Sequence, residues 1–381
     1  MDFELSPDQK LAQEMVREFA QKELKEKAAL IDQSQEFPWE SVRKMAKLGL
    51  LGVVVPEEYG GGGMDFLTLA LAIEEISRVC ASTGVIVAVN NSLVAYPILT
   101  FGSEEQKRKY LPPLCSAEKI GAFGLTEPVA GSDVAGMQST ATRQGDHYVL
   151  NGAKRFITNG GEAGIYVVFA YTDPQKRHKG ISAFILERDF PGFKVGKHEE
   201  TMGIRATANC ELIFEDCIVP AENLLGQEGE GFKIAMHTLD VSRIDIGAQA
   251  VGLAQGCLDE AIRYAKERQQ FGKKLSEFQF IQGMIAEMAT AIDAARLLVY
   301  RSAYLKDTGT QRFSVESSMA KYFASEVAVD CARKAVQIHG GYGYSREFSV
   351  ERFYRDAKVM EIYEGTSQIQ KLVIARALLG V

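Results

Sequence analysis

No unbroken run of apolar residues in this chain reaches the about 20 residues that a membrane-crossing helix needs. The opening Met1-Asp2-Phe3-Glu4-Leu5-Ser6-Pro7 has neither a basic segment nor an apolar one, so no secretory leader is expected. The six cysteines are scattered and none forms a CxxC pair, which points to free thiols in a reducing compartment rather than a disulfide framework. The five histidines never take HExxH spacing, and no metal site is expected. There are 35 glycines but no GxGxxG: Gly341-Tyr342-Gly343 is followed by Tyr344-Ser345-Arg346, and Gly229-Glu230-Gly231 by Phe232-Lys233-Ile234. Gly192 to Gly196-Lys197 is one residue short of a P-loop and runs into His198, which has no hydroxyl for Mg²⁺. Rossmann and P-loop enzymes are therefore disfavoured. Positive charge is not in excess either: 43 Lys and Arg stand against 50 Asp and Glu, a net charge of −7. Neither nucleic acid nor an anionic membrane is expected as the main partner. The short clusters Lys107-Arg108-Lys109 and Lys176-Arg177-His178-Lys179 read as solvated turns.

What is present is ordinary globular composition, 46% apolar and 24% charged, over 381 residues, a length suited to two or three domains. Residues 1–120 read as helical. Ser6-Pro7-Asp8 suits an N-cap with Pro at N1, and Leu11, Met15, Val16 and Phe19 follow at helical spacing. Gly60 to Gly63 break the pattern, Leu67 to Val79 and Val85 to Leu99 resume it, and Pro112-Pro113 ends it. Between 121 and 230 the apolar runs are short and β-branched or aromatic, as in Tyr166 to Tyr171, Ile181 to Leu186 and Leu212 to Phe214. Asn151-Gly152 and Asn159-Gly160-Gly161 read as turns, and closely spaced strands favour an antiparallel sheet or barrel. From 231 to 381 helical periodicity returns. Ile281, Ile285, Met288, Ile292, Ala295 and Val299 form a seam suited to a bundle, a second helix is expected from Glu316 to Ile338, and Ser367-Gln368-Ile369-Gln370 has capping-box spacing. The expected fold class is α+β, mainly α: an N-terminal helical domain, a middle antiparallel β domain and a C-terminal four-helix bundle.

Five motifs then appear in order: Phe123-Gly124-Leu125-Thr126-Glu127-Pro128-Val129-Ala130-Gly131-Ser132-Asp133; Ile157-Thr158-Asn159-Gly160-Gly161; Arg268-Gln269-Gln270-Phe271-Gly272 with Gln279; Gln337-Ile338-His339-Gly340-Gly341-Tyr342-Gly343; and Met360-Glu361-Ile362-Tyr363-Glu364-Gly365-Thr366-Ser367-Gln368. Read singly, each is a well-built turn or a helix cap. Together they resemble the acyl-CoA dehydrogenase family over essentially the whole chain. Val89-Asn90-Asn91-Ser92-Leu93 and the compact length look most like its short-chain, butyryl-type members.

The resemblance implies a homotetramer with one FAD per subunit, an acyl-CoA substrate converted to the trans-2-enoyl-CoA, and electron-transfer flavoprotein as acceptor. It implies Glu364 as the base that removes the α-proton, with its backbone N–H and the FAD 2′-hydroxyl as donors to the thioester oxygen. A solvated glutamate, at a pKa of about 4.3, is too weak for this, so burial must raise it. The cofactor contacts carried over are Phe123, Leu125, Thr126, Ser132, Phe156, Thr158, Arg268, Phe271, Gln279, Gln337, Gly340, Gly341, Thr366 and Gln368. Phe156 stands where the family commonly has Trp. Arg268 suits a pyrophosphate, while Gln337, Gly340 and Gly341 are expected at the FAD of a neighbouring subunit. Substrate contacts are Ser132, Asp240, Arg243, Tyr363 and Gly365. Asp240 and Arg243 equally suit a local ion pair, Gly340 a helix C-cap, and Thr366 an N-cap. Ser242 occupies the place of the base in some relatives and cannot serve as one.

The expected location is bacterial cytoplasm, or a matrix-type compartment after processing. Rival readings share the fold. An acyl-CoA oxidase would pass electrons to O₂ and usually has an extra C-terminal domain, and a nitroalkane oxidase would use aspartate where this chain has Glu364. A non-catalytic assembly subunit would lack the base. Branched or cyclic acyl groups, and the physiological direction, stay open.

Overall fold

The computed structural model describes residues 4–380, so Met1 to Phe3 of the opening stretch and Val381 lie outside the described residues. Helix α1 (Pro7–Phe19) begins at a reciprocal cap: Ser6 Oγ accepts from Gln9 N at 3.2 Å and Gln9 Oε1 accepts from Ser6 N at 3.0 Å. A π-helical turn extends it over Ala20–Leu24. Then come α2 (Ala28–Ser34), α3 (Trp39–Lys47), α4 (Phe66–Ser77), α5 (Ala81–Ala88), a second π-helical stretch (Val89–Ala95), α6 (Tyr96–Phe101) and α7 (Glu104–Cys115). The segment Ala81–Phe101 is one continuous helix, long and apolar enough to span a bilayer by length and composition, yet 83% of its most apolar window is packed inside the protein.

Two expectations fail in this part. Pro112 and Pro113 do not end the helical region but lie inside α7. The carbonyls that lose their partners belong to Arg108 and Lys109, both on the solvent side, where water can replace the missing N–H. For the same reason Lys107-Arg108-Lys109 is no turn: Arg108 pairs with Glu104 at 2.8 Å and Lys109 with Glu187 at 2.9 Å.

The middle of the chain forms an eight-stranded sheet from β1 (Gly121–Gly124), β2 (Thr140–Gln144), β3 (His147–Ile157), β4 (Ile165–Tyr171), β5 (Ile181–Glu187), β6 (Phe193–His198), β7 (Cys210–Pro220) and β8 (Leu224–Leu225). The order is β6-β7-β3-β2-β4-β5-β8, with β1 also paired to β4. Pairing is mostly antiparallel, but β1 runs parallel to β4, and β2 meets β4 in parallel at Thr140 and Tyr171. A parallel pair needs a long crossover, and residues 125–164 provide it. Every residue of β4 is buried, which explains its unbroken apolar run. Asn151-Gly152 is not a turn; it lies inside β3 at a register shift opposite β7. Gly152 has φ +141°, and Asn151 is tied to Asp216 of β7, donating at 3.0 Å and accepting at 2.8 Å. A bulge and a hairpin turn both ask for a residue free to take positive φ, so the dipeptide alone does not separate them.

Two buried asparagines fasten the Ala81–Phe101 helix, Asn90 to the sheet and Asn91 to the loop after α3. Asn90 donates to Leu51 O (2.7 Å) and Leu114 O (3.2 Å) and accepts from Gly121 N at the start of β1 (2.9 Å). Asn91 donates to Leu50 O and Val87 O and accepts from Val53 N. Both are fully buried, and every amide atom has a partner.

The C-terminal part is α8 (Gly231–Glu267), a small hairpin of β9 (Gln269–Gln270) and β10 (Lys273–Lys274), α9 (Gln279–Asp307), α10 (Ser314–His339), α11 (Ser349–Met360) and α12 (Ser367–Leu379). The expected seam lies on α9 and buries Met288, Ile292, Ala295 and Val299. Helix α4 crosses α8 so closely that a Cβ on Gly252 would stand 2.2 Å from Glu74 O. The cap of α12 is Thr366, not Ser367: Thr366 Oγ1 accepts from Ile369 N at 3.3 Å, and Gln370 turns its amide back to the Glu364 and Gly365 carbonyls instead. All six cysteines are buried and free.

Candidate active site

The turn between α11 and α12 is unusual. Tyr363 N still donates to Val359 O, but the next two residues take positive φ, +53° at Glu364 and +96° at Gly365. For a glutamate this is a strained pose that needs external support. Support comes from Gln370 Nε2, which donates to Glu364 O (3.1 Å) and Gly365 O (2.9 Å), and from Lys321 Nζ, which donates to Gly365 O at 2.8 Å. The Glu364 N–H has no acceptor among the described residues. Its Oε2 is out of contact with solvent and equally without a partner.

That carboxyl group is pushed up to about 7. Burial is the largest cause; the Ser242 hydroxyl facing it and the cations of Lys321 and Arg243 oppose the rise. Ser242, unable to act as a base, instead lies beside the Glu364 carboxyl. A carboxylate with a pKa near neutrality is a competent general base at neutral pH.

Glu364 lines a cavity of about 200 Å³. The structure brings ten of the expected residues to it: Phe123, Leu125, Thr126, Ser132, Phe156, Thr158, Arg243, Tyr363, Glu364 and Gly365. They come from β1 and the segment after it, the end of β3 and the residue following it, α8 and the α11–α12 turn. A register shift between Lys154 and Ile157 and a φ of +59° at Phe156 turn that ring outward, 57% exposed, at the mouth. The segment after β1 is clamped by a buried ion pair. Lys154 Nζ meets Glu127 Oε1 at 2.7 Å, and Glu127 also accepts from Gln138 N and Ser139 N. The apolar wall, which the sequence reading missed, is Val85, Val89 and Leu93 of the Ala81–Phe101 helix. Their helical spacing was the available signal. Lys321 and Gln370 were missed as well; a lysine amid Ser317, Ser318, Ala320 and Ala324 was the only hint.

Other expected residues lie elsewhere. Arg268, Gly340 and Gly341 line a separate cleft with Tyr264 and Tyr342. Arg268 is exposed, has no acidic partner among the described residues, and places its guanidinium 5.4 Å from the Tyr342 ring centroid. Gly340 caps α10, its N–H donating to Gln337 O. Phe271 is 93% exposed at the β9–β10 hairpin, and Gln279, Gln337 and Gln368 are exposed on helices. Asp240 does not line the cavity; it holds Arg243 at 2.7 Å and accepts from Ser314. A larger cavity of about 430 Å³, between α2, α8 and α11, is lined largely by charges that neutralise one another, such as Arg78–Asp259 and Arg263–Glu260.

The chain matches three family descriptions in sequence: "Acyl-CoA dehydrogenase, N-terminal domain" over residues 6–118, "middle domain" over 122–217 and "C-terminal domain" over 229–379. It is 54% identical to the "Acyl-CoA dehydrogenase, short-chain specific" of Clostridium acetobutylicum, with 98% of this chain and 99% of the relative aligned. Among solved structures, butyryl-CoA dehydrogenase from Megasphaera elsdenii superposes with a TM-score of 0.97 at 48% identity, each chain covered in full. A chain from a structure described as "Electron transferring flavoprotein of Acidaminococcus fermentans: Towards a mechanism of flavin-based electron bifurcation" gives 0.98 at 52% identity, again over both full lengths. With its half-buried glutamate on a strained turn and its full-length likeness to these proteins, the chain belongs to the acyl-CoA dehydrogenase family.

Proposed function

We propose that the protein dehydrogenates a short-chain acyl-CoA to the trans-2-enoyl-CoA, with Glu364 as the base that takes the α-proton. The observation that carries this reading is the half-buried Glu364, its Oε2 out of contact with solvent and its carboxyl raised to about 7 in the wall of a small, partly apolar cavity. The Glu364 N–H, without an acceptor among the described residues, would donate to the thioester oxygen as negative charge develops there. Val85, Val89 and Leu93 would receive the acyl chain, and the cavity's modest volume favours a short one.

The residues present fit FAD. Thr126, Ser132 and Thr158 offer hydroxyls and Phe156 an open aromatic face around one end of the cavity. When bound there, FAD supplies the acceptor for the hydride that leaves Cβ. Arg268 is a guanidinium without an acidic partner among the described residues and suits the pyrophosphate, and a Cβ placed on Gly340 or Gly341 would meet open space, leaving room for a large ligand. Gln337, with Gly340 and Gly341, would reach the FAD of a neighbouring subunit in a homotetramer, and Phe271 and Gln279 would add to the cofactor contacts. Thr366 and Gln368 would touch the adenosine side. Electrons would leave to electron-transfer flavoprotein. The three-part division at 1–120, 121–230 and 231–381 assigns the helical wall, the flavin wall and the base to separate domains, in an enzyme working in the cytoplasm or a matrix-type compartment.

The test is Glu364→Gln in the FAD-loaded enzyme with butyryl-CoA and an artificial dye as acceptor. Turnover should fall by about 10²- to 10⁴-fold, while FAD content and butyryl-CoA binding persist. A variant that still bleaches its flavin at the wild-type rate would remove Glu364 from the mechanism.

A further inference from the structure

Behind the Glu364–Gly365 turn stands a lysine that no step above uses. Lys321 on α10 has no exposure to solvent, and its ammonium makes one hydrogen bond, to the Gly365 carbonyl. No carboxylate lies within 4 Å of it among the described residues, although a buried cation ordinarily requires one. The anion acting on it most strongly is Glu364, followed by Glu361 and Glu326, with the Arg243 cation opposing. Gln370 already holds the same turn through a neutral amide, so backbone geometry alone does not call for a charge there.

We propose that Lys321 is a positioning residue for proton abstraction: it fixes the left-handed turn through the Gly365 carbonyl and holds the negative charge of Glu364 from behind, leaving the cavity side free for the α-carbon. This rests on Glu364 being the base. The groups facing that carboxylate are Ser242, Arg243 and Asp245 from α8, Lys321 from α10, and Tyr363 beside it. Only Lys321 and Arg243 are cations, and Arg243 is already engaged by Asp240. Lys321 therefore provides the uncommitted positive charge. Burial draws its ammonium down to about 8, so the lysine remains charged while Glu364 ionises near 7.

The sign of the effect follows. A cation favours the carboxylate form, so removing it should raise the Glu364 pKa and move the rising limb of kcat/KM to higher pH. The test compares Lys321→Gln, Lys321→Met and Lys321→Arg as FAD-loaded enzymes, measuring kcat/KM for butyryl-CoA from pH 5.5 to 9.5. Lys321→Gln keeps a donor without charge, and its limb should move up by about one unit. That means about a tenfold loss at pH 6 and little change at pH 9, where the wild-type lysine is itself neutral. Lys321→Met should show the same displacement and a lower plateau, because the carbonyl loses its donor. Lys321→Arg should keep the wild-type limb. Wild-type limbs in Lys321→Gln and Lys321→Met would overturn the proposal, and so would a limb in Lys321→Arg displaced as far as in Lys321→Met. If Lys321→Met fails to retain FAD, Lys321→Gln decides. Normal turnover in Glu364→Gln would instead sink the assignment of the base, a result separable from any of these.

Discussion

A buried carboxyl raised to about 7 ought to weaken the fold at high pH, and Glu364→Gln should reveal by how much. In the unfolded chain Glu364 titrates near 4.3. Below that value both states hold the proton and the group has no effect on stability. Between 4.3 and about 7 the unfolded state loses the proton while the folded state keeps it, so stability falls as pH rises. Above 7 both are ionised and the penalty levels off at about 3 to 4 kcal/mol. Gln has no proton to lose, so the variant escapes the penalty. With an unfolding entropy of about 2.1 cal/mol/K per residue, the whole chain has about 0.8 kcal/mol/K, and the gain amounts to about 4 °C in Tm. The assay is thermal unfolding of FAD-loaded wild type and Glu364→Gln at matched pH values from 4 to 8.5. The two should coincide near pH 4, diverge through pH 5 to 7 with the variant more stable, and run parallel above that. A constant offset across the whole range, or a wild type that is the more stable at pH 8, would refute the reasoning.

Two further outcomes test the packing that positions the site. Lys154→Met leaves Glu127 charged and buried with only two backbone donors, so it should cost about 3 to 5 kcal/mol and loosen the segment carrying Leu125, Thr126 and Ser132, measured as a lower Tm and a lower FAD-to-protein absorbance ratio. A Lys154→Met protein with wild-type Tm and full flavin would show that the clamp is dispensable. Gly252→Ala forces a methyl within 2.2 Å of the Glu74 carbonyl and should destabilise by about 1 to 3 kcal/mol. Gly283→Ala on the open face of α9 should stabilise by about 0.5 to 1 kcal/mol, and equal Tm changes in the two variants would contradict the crossing described for α4 and α8.

Local patterns proved readable where the cause is local. The Ser6 cap, the α9 seam and the helix from Ser314 to His339 follow from spacing that neighbouring residues alone determine. Asn151-Gly152 and Pro112-Pro113 misled because what decides them lies outside the dipeptide: the pairing of β3 with β7 in one case, the solvation of Arg108 and Lys109 in the other. The same divide runs through the site. Glu364, Thr126 and Thr158 stand in ordered motifs whose likeness to a family carries over residue by residue. Lys321 and Gln370 act on the Glu364 turn, Lys321 from a position 43 residues distant in sequence, and the clamp between Lys154 and Glu127 bridges β3 to a loop. No periodicity encodes such contacts, which exist only once the chain has folded.

The paired asparagines at 90 and 91 have a consequence for anyone wishing to reshape the proposed acyl slot. They rivet the pocket-lining helix to β1 and to the loop at Leu50, Leu51 and Val53, so the apolar wall and the strand leading to the flavin-side segment form one rigid frame. Sliding that helix to admit a longer or branched tail would tear out several hydrogen bonds together. Substrate range should therefore evolve by trimming or enlarging the side chains at 85, 89 and 93, leaving the frame itself untouched.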